Sequence, residues 1–233
     1  MKILAFETSA KAASVALTDV GKLLAESYQN TGLTHSQTLM VMAQDLLKSC
    51  GLGAKDVQAV AVAAGPGSFT GVRIGVAAAK GFAWGAELPC YGVSTLEAMA
   101  RNLGVWQGYI VPAMDARRSQ VYTAVFHAEK GQLKRMEEDM AISLQELGEK
   151  IKNFEEPIFL VGDGALLCYN TLLEEVPQLV LPPEHRMHQR AAGVALAAQV
   201  MADAGIPGNG AELTPNYLRL SQAERERMAR ENR

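Results

Sequence analysis

The sequence predicts an α/β protein built from two related halves, and three observations carry that prediction. Strand-like and helix-like periodicities are mixed along the whole chain, with hairpins inside a βα pattern. Val111-Pro112-Ala113-Met114-Asp115 lies over Ile3-Leu4-Ala5-Phe6-Glu7 strand for strand and acid for acid, and nine residues past each acid Ala124-Val125 falls on Ala16-Leu17. The length of 233 residues sits between one and two ordinary domains, and 48% apolar residues suffice to fill a sizeable core. Strand, acid, tight turn and returning strand, given twice, describe two domains facing each other across a cleft. A chance recurrence of a common strand-turn-strand unit is the alternative reading.

The elements follow in order. Ile3 to Thr8, Ser14 to Leu17 and Lys22 to Ser27 read as an antiparallel meander turning at Ser9 to Lys11 and at Gly21. His35 to Lys48 carries Leu39, Met42, Leu46 and Leu47 on one helical stripe that ends near Gly51. Val57 to Ala63 is a strand entering a glycine-rich stretch, and Phe69 to Trp84 is helical beyond it. Tyr91 to Val93, Tyr109 to Met114, Gln120 to Phe126 and Ile158 to Val161 read as strands; Ser94 to Leu103, Ala165 to Leu173 and Gln189 to Ala204 read as helices. Gly131 to Lys152 is charge-dense with no firm pattern. Asn102-Leu103-Gly104 suggests a boundary, with domains at 1–104 and 105–233, and Arg219 to Arg233 reads as a solvated helical tail.

Composition excludes several classes of function. With 22 Lys and Arg against 25 Asp and Glu the formal charge is -3, so nothing in bulk attracts nucleic acid or anionic lipid. The apolar run Ile3 to Phe6 is too short for a signal peptide, and the charge-free stretch Val57 to Val72 is short of a membrane span and broken by Gly65-Pro66-Gly67. Cys50, Cys90 and Cys168 are odd in number and widely spaced, which argues against a disulfide framework or a zinc cage. The expectation is a soluble cytoplasmic protein without membrane contact.

The strongest local signal is Gly65-Pro66-Gly67-Ser68-Phe69-Thr70-Gly71-Val72-Arg73-Ile74-Gly75. A glycine-rich strand-to-helix junction can hold an anion, but this one matches neither a Walker loop nor G-x-G-x-x-G. A tight turn that packs a helix close to a sheet is the competing reading. The helix that follows is rich in Gly and Ala, with Arg73 and Lys80 as its charges on one stripe, so it is either buried in its own fold or packed on another chain. Glu7 and Asp115 could hold a magnesium ion and phosphates across the cleft, with Ser9 in the first turn and Gly162 and Gly164 meeting a nucleotide. Neither acid is followed by glycine, so nucleotide binding is expected to be weak, vestigial or absent, and no cofactor or metal is assigned. His35, His127, His185 and His188 form no H-E-x-x-H, His185 and His188 read as a solvated pair in an exposed loop, and there is no nucleophile elbow. No catalytic residue is assigned.

Across these residues the chain resembles the bacterial TsaB family, also called YeaZ. Ile3 to Ser9, His35-Ser36, Gly65 to Gly75, Gly92-Val93-Ser94-Thr95-Leu96, Asp115-Ala116-Arg117 with Val121-Tyr122, and Pro215 to Arg219 carry the resemblance, in order and over nearly the whole chain. It implies an actin-like fold of two domains, each a mixed sheet with helices, as in the superfamily of sugar kinases, heat-shock ATPases and actin. It also implies a part in making N6-threonylcarbamoyladenosine in tRNA. In that family TsaB is the non-catalytic partner of the transferase TsaD, and the ATPase TsaE joins them. TsaD-like chains carry two metal-binding histidines where this sequence has Thr95 and Met99, neither a good ligand for a catalytic metal.

The resemblance therefore leads to an expected helical interface at His35, Leu39, Met42, Phe69, Val72, Arg73, Val76 and Lys80. A TsaD-like subunit would dock there, or a second copy of this chain in its absence, with tRNA reached only through the complex. The competing expectation is an ATP-dependent kinase or ATPase of the actin-like superfamily using Glu7 and Asp115.

Overall fold

The computed structural model describes residues 1–104 and 107–219. The chain runs β1 (Lys2–Glu7), β2 (Ala13–Asp19), β3 (Lys22–Gln29), α1 (His35–Ser49), β4 (Ala59–Gly65), α2 (Phe69–Gly85), β5 (Cys90–Ser94) and α3 (Thr95–Arg101). It continues with β6 (Gly108–Arg117), β7 (Gln120–Glu129), β8 (Gln132–Ser143), α4 (Leu144–Ile151), β9 (Ile158–Val161), α5 (Ala165–Leu172), β10 (Leu179–Val180), α6 (Glu184–Met187) and α7 (Ala191–Asp203). The tail expected to be helical lies, beyond Arg219, outside the described residues.

The internal echo is a duplication of topology. One five-stranded sheet has the order β3-β2-β1-β4-β5 and the other β10-β9-β6-β7-β8, the same arrangement read from opposite edges. In each, a central strand pairs antiparallel with the next strand on one edge and parallel with a strand that follows a helix on the other, and each of these neighbours carries one further strand in the same sense. The residue match from the sequence is out by one in the second strand. Ala16 stands opposite Ala5 in β1, whereas the residue opposite Ala113 in β6 is Thr123 rather than Ala124. The tighter β6–β7 turn shortens the return, and with a period of two a one-residue shift exchanges the faces of the sheet.

The two sheets lie on either side of residue 104, and the helices do not follow that division. Helices α1 and α2 cover one face of the first sheet, burying Leu39, Met42, Val72 and Val76 against Leu4, Phe6, Val60 and Val62. On its other face sits α7, whose Ala191, Val194 and Ala198 pack with Ile3, Ala5 and Ala61. Its place on the first sheet differs from the expected allotment of 105–233 to the second domain. The physical reason is a close helix crossing: a Cβ on Gly193 would overlap the Ala98 carbonyl, so α7 is seated against α3. Helix α3 itself faces both ways, with Ala98 in the first core and Leu96 and Met99, together with Leu103 just past its end, packed with Ile110 and Phe126 of the second.

The segment left unassigned in the sequence forms β8 and α4. Its helix begins at a capping box in which Ser143 Oγ accepts from the Glu146 amide and the Glu146 carboxylate accepts from the Ser143 amide. The histidine loop is also more ordered than expected, since α6 carries His185 and brings His188 Nε2 to 3.3 Å from Glu184 Oε1. All three cysteines are free. Burial pushes the Cys90 thiol up to about 11 and that of Cys168 up to about 12, so both are inert as nucleophiles at neutral pH. Among the described residues no helix is long and apolar enough to cross a membrane.

Candidate functional site

The duplicated turns after β1 and β6 face each other across a cleft of about 480 Å³. Ser9 and Lys11 line one side, Asp115, Arg117 and Asp163 the other, and Asn216, Tyr217 and Arg219 close the mouth. The cleft predicted from the echo is therefore present, and its carboxylates are engaged separately. Glu7 is fully buried: the Ser9 amide donates to its Oε1 at 2.6 Å while Oε2 has no partner among the described residues. Burial pushes Glu7 up to about 7, against the pull of its Ser9 hydrogen bonds and with help from the Asp163 charge. Asp115 accepts from the Arg117 amide at 2.7 Å and holds the Arg117 guanidinium at 3.5 Å. Burial also raises Asp163, whose Oδ1 accepts from Gln189 Nε2 at 2.9 Å. Among the described residues, His, Cys, Asp and Glu side chains nowhere gather in threes suited to a metal ion.

The glycine-rich string serves close packing, the second of its two sequence readings. A Cβ on Gly71 would overlap the Thr8 carbonyl and one on Gly75 would overlap Thr8 Oγ1, while Thr8 Oγ1 donates to the Gly71 carbonyl at 2.8 Å. Gly65, at φ +121°, lies against the Asn216 carbonyl. The Ser68 amide donates to the Ser9 carbonyl at 2.6 Å. These glycines let α2 and the loop touch the β1–β2 turn, and the backbone that would cradle a phosphate is in contact with the chain itself. Gly162 and Gly164 do likewise on the second lobe. A Cβ on Gly162 would overlap the Ala113 carbonyl, and the Gly164 amide donates to that same oxygen at 2.9 Å.

The residues expected at a partner interface are occupied within this chain. Leu39, Met42, Val72 and Val76 are core residues, each 5% exposed or less. His35 Nε2 is hydrogen-bonded to the Ala10 carbonyl at 2.8 Å. The remaining three meet a strap, residues 207–219, whose place no local pattern of the chain discloses. Lys80 Nζ donates to the carbonyls of Ala211 and Leu213 at 3.2 and 3.0 Å. Phe69 stacks on Tyr217 with ring centroids 4.1 Å apart, and Arg73 lies over the Phe69 ring while its Nε donates to the Tyr217 hydroxyl at 2.7 Å. The strap then crosses to the second lobe, where Arg219 Nη1 donates to the Ala116 carbonyl at 2.8 Å.

What α1 and α2 leave uncovered is two apolar residues on α1 and one stripe of α2. Met40 and Val41 on α1 are 43% and 54% exposed, and Trp84 near the end of α2 is 87% exposed. Ala77 and Gly81, on the same stripe of α2 as Trp84, are exposed too. Sequence reasoning missed these residues because it chose the apolar stripes, which the sheet claims first. The signal available was Trp84, a large aromatic at the end of a helix otherwise built of small residues.

Thr95 and Met99 are both buried at the junction of the lobes. Beside them stands a polar cluster that the sequence did not disclose. Ser94 Oγ caps α3 by accepting from the Glu97 amide and donates to Asp139 Oδ2 at 2.6 Å. Arg135 of β8 donates to Asp139 at 2.7 Å and to Glu97 at 3.2 Å.

Comparison with known proteins agrees with this architecture. Residues 25–226 match the family model described as TsaD, tRNA N6-adenosine threonylcarbamoyltransferase. The tRNA threonylcarbamoyladenosine biosynthesis protein TsaB of Bacillus subtilis is 33% identical over 96% of both chains. The protein of the same name from Escherichia coli is 38% identical over 70% of this chain and 72% of its own. Among solved structures, an uncharacterized protein with similarity to peptidase YEAZ from Pseudomonas aeruginosa superposes with a TM-score of 0.78 at 27% identity, covering 94% of this chain and 99% of that one. With its two duplicated lobes in the actin-like arrangement, the chain belongs to the TsaB (YeaZ) family of tRNA threonylcarbamoyladenosine biosynthesis proteins.

Proposed function

We propose that the chain is a non-catalytic subunit in the synthesis of N6-threonylcarbamoyladenosine in tRNA, working as the docking partner of a TsaD-type transferase, with a TsaE-type ATPase joining the pair. The observation that carries this reading is the apolar surface that the two helices leave uncovered, Met40 and Val41 on α1 and Ala77, Gly81 and Trp84 on α2. Small residues on α2 allow close backbone approach by another helix pair, while Trp84 and Val41 supply apolar area of the kind that anchors protein interfaces. The match of 25–226 to the TsaD family model supports a partner built on the same plan, so that a second copy of this chain substitutes when the partner is absent. Catalysis is assigned to the partner, because Glu7 is sealed from the cleft and Asp115 is turned to its own turn.

The test is co-elution. Val41→Glu and Gly81→Arg alter exposed positions, so the isolated protein stays folded, and each is expected to abolish the complex with a TsaD-type subunit and its tRNA-modifying activity. Unchanged co-elution of both variants overturns the reading. The kinase or ATPase reading retains one supporting observation, the cleft with Asp115 and Asp163 on its wall. Nucleotide turnover by the isolated chain, lost in Asp115→Asn, would establish it instead.

A further inference from the structure

A second recess, of about 470 Å³, lies away from both the cleft and the docking stripe. It is bounded by Thr18 of β2, Leu23 of β3, Asn102 at the end of α3, Arg186 of α6 and Leu196 of α7. Thr18 stands opposite Ile3 near the start of β1, whereas Glu7, at the far end of that strand, marks the cleft. Two polar atoms in its wall are buried without a hydrogen-bond partner among the described residues, Thr18 Oγ1 and Asn102 Nδ2. Thr18 is 1% exposed, so solvent does not satisfy its hydroxyl. A buried donor left unpaired costs free energy, and two such donors in one recess point to a group that pairs with them.

The charge around the recess says which group. Arg101, His185 and Arg186 reach it, and the carboxylates nearby are turned to other partners. Glu97 takes Nε and Nη2 of Arg101, which leaves Nη1; Glu184 faces His188; Asp19 pairs with Lys2 and the N-terminal amine. Among the described residues Arg186 has no ion-pair partner. Leu23, Pro183, Ala192 and Leu196 supply apolar walls. We propose that this recess binds a small organic anion, a carboxylate or monophosphate carried on an apolar body, with Thr18 and Asn102 donating to it and Arg186 closing over its charge. The volume is within the usual range of small-molecule sites, which pair mostly apolar walls with a few placed polar groups.

The site is tested by amide-shift titration of the full chain with benzoate, phenyl phosphate, benzyl alcohol and inorganic phosphate. Benzoate or phenyl phosphate is expected to shift the amides of Leu23, Asn102 and Leu196 saturably, and the tighter of the two identifies the anionic group. Benzyl alcohol and inorganic phosphate, lacking charge and apolar body respectively, are expected to bind at least tenfold more weakly. Thr18→Val and Arg186→Ala should each weaken the better anion by about tenfold. Arg186 is exposed, so its variant keeps the fold even where Thr18→Val does not. Absence of shifts with both organic anions overturns the proposal in favour of ordered water in the recess. Equal binding of benzyl alcohol or inorganic phosphate, or shifts indifferent to Arg186→Ala, overturns it as well.

Discussion

Thr8 Oγ1 donates to the Gly71 carbonyl at 2.8 Å, and the Thr8 carbonyl occupies the space where a Gly71 side chain would begin. One residue of the β1–β2 turn thus holds the first turn of α2 from both of its oxygens. Gly75, a turn further on, meets the same threonine. The glycines of this helix therefore divide by what they face. Gly71→Ala forces α2 away from the sheet and is expected to cost about 1–3 kcal/mol, the usual range for overpacking. Gly81 has open space beyond its Cα, so Gly81→Ala is expected to stabilise by about 0.5–1 kcal/mol through helix propensity. Urea unfolding of the two variants beside the parent chain separates these outcomes, and equal effects would contradict the division.

Glu7 makes stability depend on pH in a direction opposite to that of a paired carboxylate. Its carboxyl rises from 4.5 in the unfolded reference to about 7 in the fold, chiefly through burial. The folded chain thus binds this proton more tightly, and its contribution is complete below about pH 4.5 and is lost as pH rises through about 7. Asp163, also raised by burial, slopes the same way. Glu7→Gln keeps an acceptor for the Ser9 amide and has no charge to develop. The variant is expected to match the parent near pH 5 and to exceed it by about 2–3 kcal/mol at pH 8. Denaturant melts at the two pH values measure the difference, and a variant no more stable at pH 8 would refute the buried charge.

What the sequence disclosed is what local pattern encodes. The meander, α1, α2 and the paired acids show in periodicity and in the echo, because each is written within about fifteen residues of chain. Two features were hidden by distance. Arg73 and Lys80 on an apolar helix signalled a cover, but the cover is the chain 131 to 144 residues later, with no periodicity of its own. Likewise α7 follows the second half in sequence and lies on the first sheet because Gly193 fits Ala98. Strand β8 escaped for another reason: it is an edge strand with charge on both faces, so the alternation that marks a half-buried strand is absent. Its following helix was legible in the spacing of Ser143 and Glu146.

The polar cluster at the start of α3 ties the two lobes through side chains as well as packing. Arg135 bridges Asp139 and Glu97 while its guanidinium lies 4.6 Å from the Phe126 ring centroid. Each of the three charged side chains is between 11% and 27% exposed, so the pairing is stronger than on an open surface and the loss of one partner is costly. Arg135→Met retains much of the packing on Phe126 but leaves Asp139 with only the Ser94 hydroxyl and Glu97 with only Arg101, and is expected to cost about 2 kcal/mol. Adding Asp139→Asn removes one of those charges and keeps an acceptor for Ser94 Oγ, so the double variant should recover at least half of the loss. Circular dichroism followed through urea unfolding gives the cycle. Additive losses in the double variant would mean that Arg135 acts through Phe126 alone and that the lobes are joined by the apolar face of α3.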